Sequence, residues 1–252
     1  MRVTVFQYST IWMDHEANLA RIDAVCQKIS GTSDLLLLPE MFNTGYTMQP
    51  SAIPPGCGQI TINKLMDLAY QHDLTIAGSI PIKKEDGYYN SFIAINKDGI
   101  IYQYDKIHLF TPAGEKEVYN DGLEIKMWNF NGWTIQGLVC YDLRFPYVSF
   151  HNATPEIIIY SANWPTARIH HWKQLLIARA IENQAYVIGI NRTGDDLNGY
   201  HYPGASCIID FAGETVLMLD DQPSFQTVTL DKDALTGYRK KLPFLDDRKS
   251  NF

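Results

Sequence analysis

At 252 residues the chain has room for one large α/β domain or two small ones. Its composition, 46% hydrophobic and 19% charged, is that of a globular protein able to bury a core. A net charge of −7 with no Lys/Arg cluster speaks against a nucleic-acid partner, and no apolar run approaches the roughly 18 residues that a bilayer span needs.

The amino-terminal MRVTVFQYS enters strand-like alternation over residues 3–8, without the basic stretch, apolar block and small-residue cleavage site of a secretion signal. Residues 17–29 repeat Leu19, Ile22, Val25, Cys26 and Ile29 at helical spacing. Residues 34–38 form a short continuous apolar run, as expected of a strand covered on both faces, and the run stops at Pro39-Glu40. A second helix is expected over 60–71 and a third strand over 74–80. Strands over 89–96 and 100–104 flank the hairpin signature Lys97-Asp98-Gly99, and another hairpin turns at Asn131-Gly132 into a strand over 133–139. Then come a strand over 156–161, a helix over 170–183, a strand over 185–191, and strands over 206–210 and 214–219 around Phe211-Ala212-Gly213. The carboxyl-terminal TGYRKKLPFLDDRKSNF has few helix or strand signals. No linker or repeat interrupts the chain, so residues 1–252 read as a single α/β domain of mixed sheets covered by helices.

The four cysteines, Cys26, Cys57, Cys140 and Cys207, are far apart and form no CxxC pair. A disulfide framework is not expected, and the cytoplasm is the expected compartment. His72, His151, His170, His171 and His201 show no metal-binding spacing.

Three polar positions share a context. Glu40 follows LLLLP, Cys140 follows GLV and Asn163 follows IIIYSA, each just past the carboxyl end of an expected buried strand. Ligands and catalytic groups collect at that edge of open α/β sheets. Glu40 there has either a structural partner or a chemical task, because an idle buried carboxylate is costly. Cys140 is either an inert core thiol or a nucleophile on a strand-to-helix turn whose N–H groups face an incoming oxygen. Lys106, in YQYDKIHLF, either snorkels to water or supplies a fixed positive charge. His108 competes with it as the partner of a Cys–His pair.

LLLPEMFNTGY, YDKIHLF and GLVCYDLRFP, in this order, resemble the three signature blocks of the nitrilase-like carbon–nitrogen hydrolases. The resemblance continues through SANWP, HWKQLLIARAIENQAYVIGINRTGDD and YPGASCIID, so it covers nearly the whole chain. It implies a four-layer αββα sandwich with two mixed sheets, Glu40, Lys106 and Cys140 as catalytic residues, and demotes His108 to a neighbour of the lysine. It also implies a second glutamate, Glu115 or the nearby Glu117, that helps position the substrate amide. The backbone N–H of Tyr141 would join Lys106 in holding an oxyanion. No metal or other cofactor has a part in that chemistry.

Within the superfamily, NWP, ARAIEN and NRTGDD look most like the omega-amidases of bacteria, which cleave the terminal amide of short 2-oxo acids. A small-molecule amide and a homodimer are therefore the expected partners, with residues 235–252 as a dimer arm or a surface tail. An N-carbamoyl amino acid amidohydrolase, a small aliphatic amidase and a catalytically silent binding member are the competing readings. The intact three residues argue against the last, and nothing specifically suggests a nitrile. At the substrate end, Arg168 and Arg144 are candidates for a substrate carboxylate, with Phe42, Tyr46, Asn163, Trp164 and Tyr202 as pocket residues.

Overall fold

The computed structural model describes residues 1–150 and 154–249; His151 and residues 250–252 of the carboxyl-terminal segment lie outside them. The first half of the chain runs through β1 (Arg2–Gln7), α1 (His15–Ile29), β2 (Leu35–Leu37), α2 (Cys57–His72), β3 (Thr75–Lys84), β4 (Gly87–Asn96) and β5 (Gly99–Asp105). The second half continues with β6 (Trp128–Phe130), β7 (Trp133–Val139), α3 (Pro146–Ser149), β8 (Ile157–Ala162), α4 (Ile169–Asn183) and β9 (Tyr186–Asn191). It ends with β10 (Thr193–Asp195), β11 (His201–Pro203), β12 (Cys207–Ile209), β13 (Thr215–Met218), β14 (Ser224–Thr229) and α5 (Lys232–Lys241).

Two six-stranded sheets result, ordered β14-β1-β2-β3-β4-β5 and β13-β12-β9-β8-β7-β6. Each has a parallel centre, β1-β2-β3 in one and β7-β8-β9 in the other, flanked by antiparallel strands. The run of four leucines shows how the layers arise. Leu35 and Leu37 join Val3, Val5, Ala94, Leu138 and Ile158 in the central core, whereas Leu36 and Leu38 join Ile22, Cys26, Leu65 and Leu68 beneath α1 and α2. A strand read on both faces has no polar side to show water, hence the unbroken apolar run. Burying each such side chain contributes about 1.5–3 kcal/mol. On the other side of the molecule, α4 lays Trp172, Leu176 and Ala180 on the second sheet. Helix, sheet, sheet and helix make the four layers that the motifs imply.

The hairpin at Asn131-Gly132 forms with both residues at positive φ, 48° and 78°, as a two-residue turn of this kind requires. Besides the short α3, β10 and β11, two elements absent from the sequence reading carry little apolar periodicity. In β14, Phe225 packs against one core and Val228 against the other, but the strand is half-exposed. In α5 only Leu235 is buried; Asp231 caps its first turn by accepting from the Ala234 amide. The segment thought to lack helical signals thus begins inside a helix. It is tied to its own chain: Arg239 donates to the carbonyls of Gln184 and Pro155, and Arg248 donates to the carbonyl of Glu182.

The two sheets approach closely at Gly137 on β7, where a Cβ would sit 2.4 Å from the Phe92 ring on β4. Gly137→Ala should therefore destabilise the protein by about 1–3 kcal/mol through overpacking. Adding Phe92→Leu should recover part of the loss. Urea unfolding is the measurement, and an unchanged midpoint for Gly137→Ala would contradict this packing.

Candidate active site

Four polar side chains reach one edge of the sandwich because each follows a strand directed toward it. Glu40 lies just beyond β2, Lys106 immediately follows β5, Cys140 immediately follows β7, and Asn163 immediately follows β8. The Ser161 hydroxyl donates to the Leu38 carbonyl at 2.8 Å, tying the second sheet to the first at this edge.

Glu40, Lys106 and Glu115 are wholly buried. The Lys106 ammonium lies 2.9 Å from Glu40 Oε1 and 2.7 and 3.0 Å from Glu115 Oε2 and Oε1. Burial alone would weaken the ammonium's hold on its proton, but Glu115 and Glu40 outweigh that cost and hold the lysine above its ordinary range. Glu40 Oε2 accepts from the Asn163 backbone amide at 3.0 Å and from its side chain at 3.2 Å. Glu115 Oε2 accepts from the Phe110 amide at 2.6 Å and the Tyr46 hydroxyl at 3.2 Å. Glu117, the other candidate for the second glutamate, is exposed.

Cys140 opens a short 3₁₀ turn over Cys140–Arg144 with φ of 44°, a left-handed conformation that a non-glycine residue holds only under constraint. Asp142 supplies that constraint. Its Oδ2 accepts from the Val139 amide at 3.1 Å and the Tyr104 hydroxyl at 2.9 Å. Its Oδ1 accepts from the His108 amide at 3.0 Å. One carboxylate thus fixes the end of β7 before Cys140 and the loop after Lys106. Burial and the nearby Glu40 charge push the Cys140 thiol well above its usual range, against the pull of Lys106 and the Asn163 amide. At neutral pH the sulfur therefore rests as a thiol.

His108 is not paired with the cysteine. Its Nδ1 meets Asp142 Oδ1 at 2.9 Å and its Nε2 meets the Tyr147 hydroxyl. Among the described residues, no group of three His, Cys, Asp or Glu side chains is arranged to hold a metal ion.

Above the cluster opens a cavity of about 460 Å³, and Cys140 is the one cysteine that lines it. Tyr46, Asn163, Trp164, Arg168 and Tyr202, suggested by the sequence for substrate contact, also line it, as does Tyr141, whose backbone N–H was the expected oxyanion donor. Phe42 does not. It is fully buried with Leu36 and Leu38 in the core beneath α1 and α2, because the strand-end turn directs it back under the sheet. Arg144 and Arg168 both face the cavity, stacked 4.9 Å over Trp164 and 5.2 Å over Phe110. Among the described residues, neither pairs with a carboxylate.

Sequence reasoning missed Asp142 and Asn90. The signal for Asn90 was an asparagine and a serine, Asn90-Ser91, inside an otherwise apolar and aromatic strand; both are fully buried.

A cysteine, a lysine and a glutamate at the strand ends of a two-sheet sandwich, with a second glutamate from the 3₁₀ turn Glu115–Glu117, make up the site. The carbon-nitrogen hydrolase family model matches residues 2–240, and the chain belongs to that family. It is 41% identical to the omega-amidase YafV of Yersinia enterocolitica, over 98% of this chain and 96% of that protein. It is 31% identical to a 2-oxoglutaramate amidase of Bacillus subtilis, over 97% of this chain and 96% of the relative. Among solved structures, a CN-hydrolase superfamily protein from Xanthomonas campestris superimposes with a TM-score of 0.93 at 33% identity, covering 100% of this chain and 98% of that one. That structure carries an arsenic adduct in its active site.

The ion cluster makes a pH-dependent prediction. Lys106→Met leaves two buried carboxylates facing each other, so the folded state binds a proton at a pH where the unfolded chain is ionised. A folded pKa raised in this way contributes stability below the unfolded value of about 4.3, and that stability is lost as pH rises through the folded value. The variant should therefore melt nearest the wild type at the acid end of its stable range. At neutral pH it should lie about 3–5 kcal/mol below. A deficit that does not change with pH would contradict a charged Glu40–Lys106–Glu115 cluster.

Proposed function

We propose that the protein hydrolyses the terminal amide of short 2-oxo acid monoamides, such as 2-oxoglutaramate and 2-oxosuccinamate, to the acid and ammonia. The observation that carries this reading is the cavity itself. Its floor holds Cys140 over the buried cluster of Glu40, Lys106 and Glu115, and its wall holds two arginines that pair with no carboxylate among the described residues. The relatives named omega-amidase and 2-oxoglutaramate amidase support the substrate class.

In this mechanism the thiol, held protonated by burial, gives its proton to Glu40 as the sulfur attacks the amide carbon. Two donors already occupy each Glu40 oxygen, so the carboxylate arrives oriented and releases one of them as it takes the proton. Negative charge moves to the former carbonyl oxygen, where the Lys106 ammonium and the Tyr141 backbone N–H receive it. Glu40 returns the proton to the departing nitrogen, ammonia leaves, and a thioester remains on Cys140. Water, deprotonated by Glu40, attacks the thioester carbon and frees the carboxylic acid, while the proton returns to the sulfur. Glu115 holds the other side of the ammonium and keeps it fixed.

A homodimer in the cytoplasm, with residues 235–252 as an arm or a surface tail, belongs to the same reading. The four free cysteines suit that compartment.

Cys140→Ala should abolish ammonia release and leave the thermal midpoint close to that of the wild type, whereas Cys57→Ala and Cys207→Ala stay active. Substantial turnover by Cys140→Ala would sink the thioester route. The substrate class has a separate test. A charge-assisted hydrogen bond to a substrate carboxylate contributes about 1.5–3 kcal/mol, or roughly 10–150-fold in kcat/KM. Succinamate or 2-oxoglutaramate should therefore outrun neutral butyramide in the wild type, and Arg168→Ala should erase most of that preference. Equal rates for acidic and neutral amides would reject the omega-amidase reading. A preference that survives in Arg168→Ala would transfer the role to Arg144.

A further inference from the structure

Asn90 sits on β4, wholly buried, and makes contact with three members of the cluster. Its side-chain amide donates to Glu40 Oε1 at 2.8 Å and to Glu115 Oε1 at 3.0 Å, while its backbone carbonyl accepts from the Lys106 amide at 2.9 Å. The orientation is dictated by chemistry. Turned over, the amide would set its own oxygen against two carboxylate oxygens, whereas in this orientation both protons are used. The carbonyl oxygen Oδ1 is buried without a partner among the described residues, so the two carboxylates alone hold the amide in this orientation.

We infer that Asn90 is a positioning residue for amide hydrolysis, clamping Glu40 and Glu115 on one ammonium and keeping Glu40 in its ionised, proton-accepting form. The inference rests on Glu40 acting as the base. Two carboxylates sharing one cation repel each other, and an excess negative charge in a dry site is relieved by binding a proton. The Asn90 amide supplies each carboxylate with a neutral donor, so both stay ionised without a second cation. Lys106 bridges the same two Oε1 atoms at 2.9 and 3.0 Å, so Asn90 adds a second, neutral bridge beside the ammonium. The other titratable groups facing the pair are Cys140, Tyr46 and Tyr119, and burial pushes all three up. They remain neutral through the acid and neutral range, so they are not the groups that a changed acid limb of kcat/KM in an Asn90 variant would report.

The test is the pH profile of kcat/KM on 2-oxoglutaramate for the wild type, Asn90→Ala and Asn90→Asp, with folding followed by circular dichroism. Loss of a donor favours the protonated carboxyl, so the acid limb of Asn90→Ala should move up by about one pH unit. Asn90→Asp, which adds a third acidic group to the cluster, should move it further. Turnover on the plateau should fall on the order of 10–100-fold with little change in KM, as misplacement of a base predicts. Profiles that superimpose on the wild type after uniform scaling would overturn the proposal, and so would loss of the fold in both variants, because either assigns Asn90 a purely structural role. If Glu40→Gln retained activity, the base assignment would fail first, whatever the Asn90 variants did.

Discussion

A lysine ammonium shut away from water, 2.7 Å from one carboxylate and 2.9 Å from another, is the constraint around which this molecule is arranged. Desolvating three charges costs several kcal/mol for each ion, and their attraction offsets this only when the remaining lone pairs are satisfied. The surroundings supply that satisfaction. The Asn163 and Phe110 amides, the Tyr46 hydroxyl and the Asn90 side chain each donate to a carboxylate that the ammonium alone leaves partly unmet. Cys140 is placed where a further negative charge is unwelcome. The thiol consequently keeps its proton at rest.

The apolar sandwich makes such a cluster tenable. Its parallel strands deliver side chains to one edge from both sheets, and the Ser161–Leu38 bond fixes the sheets there. Close packing at Gly137 and Phe92 leaves little freedom for one sheet to slide on the other. A site whose working distances are near 3 Å needs that rigidity, because Glu40 and Lys106 come from the first sheet while Cys140 and Asn163 come from the second. The polar contacts in turn restrict the register of the strands that carry them.

Much of this was legible in the chain. Unbroken apolar runs ending in Glu40, Cys140 and Asn163 marked the buried strands and the edge where they stop. The three motif blocks singled out Lys106 over His108; in the structure His108 is bonded to Asp142 and Tyr147. The illegible parts have physical reasons. Phe42 is as apolar as a pocket wall, and only the backbone path beyond Pro39 sends it inward. Asn90 and Asp142 act through contacts 50 and 34 residues away, which no local pattern encodes. Spacing could not choose between Glu115 and Glu117; burial on the lysine distinguishes them. Helix α5 hides its single buried leucine among charges, although Asp231 and the basic last turn are helix-end signals.

The pairing of β1 with β14 joins the first strand to the last, residue for residue from Arg2 opposite Thr229 to Gln7 opposite Ser224. The Met1 ammonium also reaches the Leu230 carbonyl across 229 positions of sequence. On a ribosome, β1 can find β2 early, but its outer edge stays open until the chain through Thr229 has emerged. An open strand edge is a template for another chain, and contacts of such long separation form slowly. Synthesis therefore includes a long interval in which the nascent first sheet is adhesive. A chain shortened at its carboxyl end before β14 would never leave that interval: its Glu40–Lys106 machinery could be encoded in full, yet aggregation would compete with folding throughout.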